Sequence, residues 1–197
     1  MSSADDIDFS KSALIVWDMQ GAISRRAFNY AVLVSNIRKL LDAAHARQKR
    51  VIYSRHVVLP RNFVSQEFIN SLLKRGISPD SFLNKDSKEW KIPEEIAPTD
   101  ADLVLEKHTP SFFVDTMLDY LLRDLGIKVL LLTGVSTEIG VEGTARHASH
   151  LGYKPVIVED ATGSSNKEMH ELSLKVMRGM FPVLPTEKVV EGLQRAE

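Results

Sequence analysis

The stretch KVLLLTGVSTEIGVEG, residues 128–143, decides the fold. Its solid apolar run, residues 129–132, is too short for a lone amphipathic helix and is closed by Gly134, which predicts a buried central strand. Ser136 and Thr137 then offer hydroxyl N-caps for the helix that follows. A strand that turns into a helix in this way places the turn at the carboxyl edge of a parallel sheet, where ligands bind in open α/β folds.

Two glycines, Gly140 and Gly143, lie inside that predicted helix. Each costs about 1 kcal/mol relative to alanine, so we expect something to approach the helix backbone closely there. One interpretation is crowding between the helix and the sheet, and the other is a substrate that lies on bare backbone. The sequence leaves both open.

The composition limits the classes of protein to consider. A chain of 197 residues with 44% hydrophobic and 26% charged residues predicts one globular domain over residues 1–197. A net charge of −1 without a face-wide basic run argues against a nucleic-acid partner. No apolar run approaches the roughly 18 residues of a membrane span, and the polar start lacks signal-peptide features, so we expect a cytoplasmic protein without a membrane partner. The sequence contains no cysteine, which excludes disulfides and a cysteine nucleophile.

Short apolar runs alternate with amphipathic segments along the chain. The predicted strands are residues 12–17, 50–54, 102–106, 129–132, 154–158 and 181–184. The predicted helices are residues 28–48, 63–75, 116–125, 136–151, 167–180 and 186–196. A polar connection without periodicity, residues 80–100, lies between the second helix and the third strand. This alternation predicts an α/β fold, a three-layer doubly wound sandwich with a mostly parallel six-stranded sheet.

Three predicted strand ends carry groups that suit catalysis. Asp18 follows the first strand, Lys107 follows the third, and the turn at residues 136–140 follows the central strand. In a doubly wound sheet all three can converge on one pocket. The alternative is a buried ion pair that only stabilises the sheet. Burial raises the pKa of a carboxyl and a nearby cation lowers it, so the sequence leaves the protonation state of Asp18 open.

The remaining motifs are weaker. His147 and His150 are three positions apart on one helix face, but no third ligand accompanies them, so a solvated face is favoured and no metal is expected. His56 and His108 follow strands at the pocket edge, where they could orient a substrate or form a polar rim. No G-x-S-x-G, G-x-G-x-x-G or P-loop pattern exists, so no nucleotide cofactor is expected.

Four segments, in this order, resemble the isochorismatase-like superfamily, which includes cysteine hydrolases such as nicotinamidase and N-carbamoylsarcosine amidase. They are ALIVWDMQ (13–20), EKHTPSFF (106–113), TGVSTEIGVEGTARHASHLGY (133–153) and VIVEDATGS (156–164). The resemblance implies the isochorismatase-like hydrolase fold and a small-molecule substrate, and it adds no cofactor to the expectation. It also implies a homo-oligomer, a dimer or tetramer.

The resemblance also implies site residues. The catalytic aspartate and lysine of the family fall on Asp18 and Lys107, and its cysteine nucleophile falls on Gly140. The backbone N–H groups of Ser136 and Gly140 correspond to an oxyanion hole, and the peptide bond before Ser136 is often cis in the family. The matching segments imply two further substrate-binding positions, Thr137 and Phe112, and a third, His56, follows the second predicted strand.

Glycine at position 140 decides which chemistry the resemblance permits. Amidases of the family attack with a thiolate, and a glycine leaves no atom to form the acyl intermediate. True isochorismatases also have glycine there, yet their turn usually carries Tyr-Ala-His where this chain has Ser136, Thr137 and Glu138, a pattern closer to the amidase branch. His56 takes the place of a carboxylate-binding glutamine, and the metal-binding D-x-H-x-x-H motif is absent.

These observations lead to one functional hypothesis and two alternatives. The hypothesis is an isochorismatase-type hydrolase that cleaves an enol ether with water, with Asp18 as general acid or base and Lys107 holding it or an anionic group of the substrate. The first alternative is a catalytically silent small-molecule-binding paralogue of the amidase branch. The second is an oligomer-forming structural protein without a ligand. A cysteine introduced at position 140 is expected to lie beside Asp18 and Lys107 with a lowered thiol pKa.

Overall fold

Six parallel strands form one sheet at the centre of the molecule. The computed structural model describes residues 7–57, 59–74, 76–82 and 90–196. The strands are Ser12–Trp17 (β1), Arg50–His56 (β2), Leu103–Lys107 (β3), Val129–Val135 (β4), Lys154–Gly163 (β5) and Val183–Leu184 (β6). They lie in the order β3-β2-β1-β4-β5-β6 and every pair is parallel. The predicted α/β architecture is therefore confirmed.

Helices connect the strands and cover the sheet. They are Gly21–Ser24 (α1), Tyr30–Ala46 (α2), Gln66–Lys74 (α3), Pro79–Phe82 (α4), Leu118–Asp124 (α5), Glu142–His150 (α6), Lys167–Arg178 (α7) and Thr186–Arg195 (α8). Short 3₁₀ turns occupy Phe9–Lys11, Arg61–Phe63 and Glu94–Ile96, and a π-helical turn occupies Thr137–Val141. None of the helices in the described part of the chain has the length and apolarity to cross a membrane.

The core lies in two layers, one on each face of the sheet. Leu14 and Val16 of β1 pack in one cluster with α2 and α8, whereas Ala13 and Ile15 pack in another with α5, α6 and α7. Because helices cover both faces, every residue of β1 and of β4 is buried. These two strands form the centre of the sheet, and their carboxyl ends position the candidate site.

The central strand is longer than predicted. Gly134 does not end β4, which continues to Val135. Gly134 has a φ of +105°, and a Cβ there would lie 2.1 Å from the carbonyl oxygen of Trp17 on the neighbouring strand. Only glycine fits this position, because it lacks the Cβ and tolerates positive φ.

The turn after β4 differs from the predicted capped helix. The Ser136 side chain makes no capping hydrogen bond, and the Thr137 hydroxyl donates instead to the carbonyl oxygen of Gly163 at 3.0 Å, so the predicted hydroxyl caps were wrong. The Ser136 carbonyl accepts from the N–H groups of Gly140 and Val141, which widens the first turn into a π-helix. The Val135–Ser136 peptide bond is cis.

The connection between α3 and β3 lies beside the pocket end of the sheet. It begins with α4 and contains the Glu94–Ile96 turn, while residues 83–89 lie outside the described residues. Trp90 packs with Leu72 of α3 in a third apolar cluster. The carbonyl oxygen of Lys91 accepts a hydrogen bond from the N–H of Gly21 at 3.0 Å, which ties this connection to the start of α1.

Candidate active site

A buried ion pair lies at the carboxyl edge of the sheet. Lys107 Nζ donates to Asp18 Oδ2 at 2.6 Å, although the two residues are 89 positions apart. Asp18 directly follows β1, and Lys107 ends β3, which is separated from β1 by β2. Only 2% of Asp18 and 1% of Lys107 is exposed. The ends of β1 and β3 therefore converge, as predicted.

Ser54 of the intervening strand β2 completes the pair. Its Oγ donates to Asp18 Oδ1 at 2.6 Å and accepts from the Asp18 backbone N–H at 3.0 Å. Both carboxylate oxygens of Asp18 thus have a donor. Asp18 has a φ of +44°, a left-handed conformation that is uncommon outside glycine, and the two bonds to Ser54 hold it there.

Burial and pairing act in opposite directions on the two charges. Burial raises the pKa of the Asp18 carboxyl, and the charge of Lys107 is the largest effect that opposes the rise. Burial likewise lowers the pKa of the Lys107 ammonium, against the attraction of Asp18. Both directions favour the uncharged forms, because desolvation penalises each charge. A carboxyl whose pKa is raised in a cleft is suited to proton transfer.

Trp17, the last residue of β1, forms a wall behind the pair. Lys107 Nζ lies 3.7 Å from the centroid of the Trp17 ring, a cation–π geometry. The indole Nε1 donates to Thr144 Oγ1 of α6 at 3.1 Å. Trp17 is only 5% exposed, so these contacts fix its ring. Sequence reasoning missed Trp17; the available signal was a large aromatic residue at the end of an aliphatic strand.

The Trp17 ring also explains Gly140. A Cβ at position 140 would lie 1.9 to 2.2 Å from three atoms of the ring, whereas a Cβ at Gly143 would meet only the Pro110 carbonyl oxygen at 3.7 Å. Crowding by a side chain of the sheet, rather than a bound substrate, therefore accounts for glycine at position 140. A cysteine there would have to displace the indole before its thiol could lie beside Asp18 and Lys107, and this expectation stays a prediction.

A pocket of about 430 Å³ opens above the ion pair. Its apolar wall includes Ile23, Phe68 and Ile77, and the polar residues that line it include Arg26, Ser136, Glu138, Ser165, His56 and His108. The His56 ring stacks on Trp90 with centroids 6.2 Å apart, and the His108 ring lies 2.8 Å from the Val57 carbonyl oxygen. The pocket has the size of a small-molecule site.

The structure brings four of the seven predicted site residues to the pocket wall: Asp18, His56, Lys107 and Ser136. The other three, Thr137, Gly140 and Phe112, are not among the residues that line it. Phe112 is fully buried in the core, and the Thr137 hydroxyl is bonded to Gly163 and to the His170 ring. The Gly140 N–H donates to the Ser136 carbonyl oxygen at 3.0 Å and lies behind Trp17.

Glu138 also lines the pocket, although the sequence analysis placed it only in the turn after the central strand. Its Oε1 accepts from Ser164 Oγ at 2.8 Å. Its Oε2 is buried and has no hydrogen-bond partner among the described residues. Ser54 was missed in the same way, although a single hydroxyl at the end of an apolar strand was a usable signal.

The histidine pair on α6 is not arranged as a metal site. His147 Nδ1 lies 2.8 Å from Ser111 Oγ, and its ring packs on Phe113, while His150 is exposed. Among the described residues, no group of three or more histidine, aspartate or glutamate side chains is placed to hold a metal ion.

Comparisons with known proteins show which family and which solved structures this chain resembles. Residues 12–188 match the family model described as the isochorismatase domain. The uncharacterized isochorismatase family protein YwoC of Bacillus subtilis is 30% identical over 97% of this chain and 96% of its own. The ureidoacrylate amidohydrolase RutB of Agrobacterium fabrum is 32% identical over 78% of this chain and 76% of its own. A cysteine hydrolase from Pseudomonas syringae pv. phaseolicola has a solved structure with a TM-score of 0.85, at 26% identity over 97% of this chain and 96% of that one.

Proposed function

This chain belongs to the isochorismatase family, and from that premise we propose that it hydrolyses a small enol ether with water as the nucleophile and Asp18 as the proton donor. The observation that supports this mechanism is the buried pair of Asp18 and Lys107 beneath the pocket, in a chain that contains no cysteine. Hydrolysis must then proceed without a thiolate and without the acyl intermediate that a thiolate forms.

The proposed reaction consumes one water molecule. Asp18 transfers its proton to the terminal carbon of the enol ether double bond, and the adjacent carbon becomes an oxocarbenium centre. The oxygen of a water molecule bonds to that centre, and a water proton returns to Asp18. The hemiketal then breaks its bond to the ether oxygen, and its hydroxyl proton passes to that oxygen, which yields a ketone and an alcohol.

The environment of Asp18 suits this role. An ordinary aspartate with a pKa of about 3.9 is neutral in only roughly one part in a thousand at pH 7, which adds about 4 kcal/mol to the barrier of a proton-donating step. Burial raises the pKa of Asp18 and removes part of this penalty. Lys107 then stabilises the carboxylate that remains after the proton has left.

An amide or ureido substrate is the second class to consider, because a relative is named a ureidoacrylate amidohydrolase. Such a substrate would also have to be attacked by water in this chain. The Trp17 ring fills the space in which a side chain at position 140 would begin, which supports a reaction without a covalent intermediate. If the chain is instead a catalytically silent small-molecule-binding paralogue, it would bind its ligand in the same pocket without turnover.

The test is turnover and ligand binding, measured side by side for wild type and Asp18→Asn on enol ethers, amides and ureido compounds. Asp18→Asn keeps the side-chain shape and removes the transferable proton, so we expect kcat to fall on the order of 100-fold with little change in affinity. Asp124→Asn, an exposed site on α5, is the matched control and should leave kcat unchanged.

Each other outcome has a defined meaning. Turnover that survives Asp18→Asn would remove Asp18 from the mechanism. Binding without turnover in wild type would identify the silent paralogue. With proton donation, the activity should decrease as pH rises through the raised pKa of Asp18, whereas activity that increases over the same range would indicate a base.

A further inference from the structure

An apolar wall borders the candidate active site on the side of α1 and α3. It consists of Ala22 and Ile23 of α1, Phe68 of α3, and Ile77, which follows α3. All four side chains line the pocket and are only partly buried. Apolar surface that faces a pocket is removed from water when an apolar group packs against it, and this burial favours binding.

A small core supports the apolar wall from behind. The four side chains pack against Leu72 and Trp90, which are both buried. The backbone of Ile77 is also fixed, since its N–H donates to the Leu72 carbonyl oxygen at 2.9 Å. A ligand therefore meets an apolar surface that does not have to become ordered on binding.

The apolar wall begins close to the proposed proton donor. Gly21, three residues after Asp18, starts α1, and Ala22 and Ile23 follow it. The four heavy atoms of an enol ether fill only part of the pocket of about 430 Å³, since one water molecule takes about 30 Å³. When the double bond contacts the Asp18 carboxyl, the group on the ether oxygen has the remaining space, which the apolar wall borders.

The formal charges around the pocket cancel. Among the described residues that line it, Asp18 and Glu138 are acidic and Lys107 and Arg26 are basic. Asp18 and Lys107 are paired with each other, and one carboxylate oxygen of Glu138 accepts a hydrogen bond from Ser164. A charged ligand would lose its hydration here without meeting a surplus of the opposite charge, whereas an uncharged ligand avoids this penalty.

We propose that the substrate is an uncharged enol ether whose ether oxygen carries an alkyl or aryl group, and that this group packs against the apolar wall. The inference rests on the proposed function, because it identifies which enol ethers the site accepts. It assigns Ile23, Phe68 and Ile77 to substrate selection, whereas Asp18 acts on the reacting bond.

The first test measures binding without turnover. Isopropyl ethers that carry a methyl, ethyl, propyl or butyl group lack the double bond, so the proposed reaction cannot consume them. Their dissociation constants for wild type are measured by NMR titration. Each CH₂ that packs against the apolar wall should lower Kd about two- to fourfold, which gives a difference on the order of tenfold or more between the methyl and butyl ethers. Dissociation constants that do not change with chain length would overturn the proposal.

The second test changes the apolar wall itself. Ile77→Thr makes the wall smaller and more polar, so Kd of the butyl ether should rise on the order of tenfold while Kd of the methyl ether stays within about twofold. Leu73→Thr, at an exposed leucine of α3 that is not among the residues lining the pocket, is the matched control and should change neither constant.

Ser71→Asp is a second variant that leaves the core intact, because Ser71 is exposed and also lines the pocket. The charge that it places beside the apolar wall should weaken binding of the butyl ether by a similar factor. Circular dichroism would verify that each variant keeps its helices. If Ile77→Thr and Ser71→Asp both retain the wild-type preference for the butyl ether, the alkyl group does not contact this wall.

The third test adds a charge to the ligand. The probes are 3-isopropoxypropanoate and 3-isopropoxypropylamine, whose charged chains are similar in length to the butyl group. Each should bind wild type on the order of tenfold more weakly than isopropyl butyl ether at about pH 7. Tighter binding of the propanoate would point to recognition by Arg26, and tighter binding of the amine to recognition by Glu138. Either result would overturn the assignment of an uncharged substrate.

Turnover of the matching 2-alkoxypropenes separates this inference from the proposed function. Wild type should hydrolyse them to acetone and the alcohol, and kcat/KM should rise on the order of tenfold from the methoxy to the butoxy compound. If the saturated ethers show the expected length dependence but no 2-alkoxypropene is hydrolysed, the proposed reaction is wrong while the apolar wall still selects the ligand. If hydrolysis occurs with kcat/KM independent of chain length, the reaction stands and the role of the wall fails.

Discussion

At the scale of single residues, Trp17 and Gly140 are complementary. The indole occupies the space where a side chain at position 140 would begin, and its contacts with Thr144 and Lys107 hold it there. One ring therefore contacts the cation of the site and crowds any side chain at position 140. The two residues lie on different elements, so neither constraint is visible from the local sequence of the other.

Gly140→Ala should destabilise the protein by about 1 to 3 kcal/mol, because the new methyl group must displace a packed ring. Gly143→Ala is the matched control: its methyl group meets ordinary contacts and should stabilise the helix by up to about 1 kcal/mol. The measurement is the free energy of unfolding from denaturant titrations. Equal tolerance of the two substitutions would mean that the Trp17 ring is free to move.

At the scale of elements, two helices that follow β-strands begin in different ways. Asn166 caps α7, and its side chain accepts from the Met169 N–H at 3.1 Å. Ser136 stands at the equivalent position before the π-helical turn, but its hydroxyl makes no such bond. A residue type typical of caps therefore does not ensure a cap, because the geometry of the turn decides whether the oxygen reaches an N–H.

Asn166→Ala should lower the free energy of unfolding by about 1 kcal/mol, the usual cost of a lost N-cap. Ser136→Ala removes a hydroxyl that makes no capping bond, so its effect on stability should stay within about 0.5 kcal/mol. Thermal and denaturant unfolding of both variants would measure the contrast. If Ser136→Ala costs as much as Asn166→Ala, then the hydroxyl of Ser136 stabilises the turn after all.

At the scale of the whole molecule, the site depends on three adjacent strands. Asp18, Ser54 and Lys107 lie at the ends of β1, β2 and β3. Asp18 is bonded both to Ser54 on the adjacent strand and to Lys107 on the strand beyond it. Two charges withdrawn from water contribute little net stability as a pair. Removal of one, however, leaves the other buried without a partner, which is strongly destabilising.

Lys107→Met should therefore cost about 3 to 5 kcal/mol near neutral pH. The loss of stability caused by Lys107→Met should increase with pH. Without Lys107, the folded-state pKa of Asp18 rises further above its value in the unfolded chain. Protonation of Asp18 therefore stabilises the folded state at low pH, and this stabilisation is lost as pH rises through the folded-state pKa. Unfolding titrations at about pH 5 and about pH 8 should thus show the larger deficit at the higher pH.

The double variant Asp18→Asn with Lys107→Met is the control for this prediction. It removes both charges, so its stability should exceed that of Lys107→Met at about pH 8 and should vary less with pH. A deficit of Lys107→Met that is constant across this range would indicate lost packing of the lysine stem rather than an unpaired carboxylate.

The architecture, and the strand ends that carry Asp18 and Lys107, could be predicted from the sequence alone. The buried run of β4, the alternation of strands and helices, and the placement of Asp18 and Lys107 at strand ends all follow from local periodicity, which is imposed by burial on each segment separately. The folded structure was needed to show that Ser54 bonds Asp18, that the Trp17 ring crowds position 140, and that Phe112 points into the core rather than the pocket. These contacts join residues that are distant in the chain, and their partners depend on strand order and packing, which no local pattern encodes.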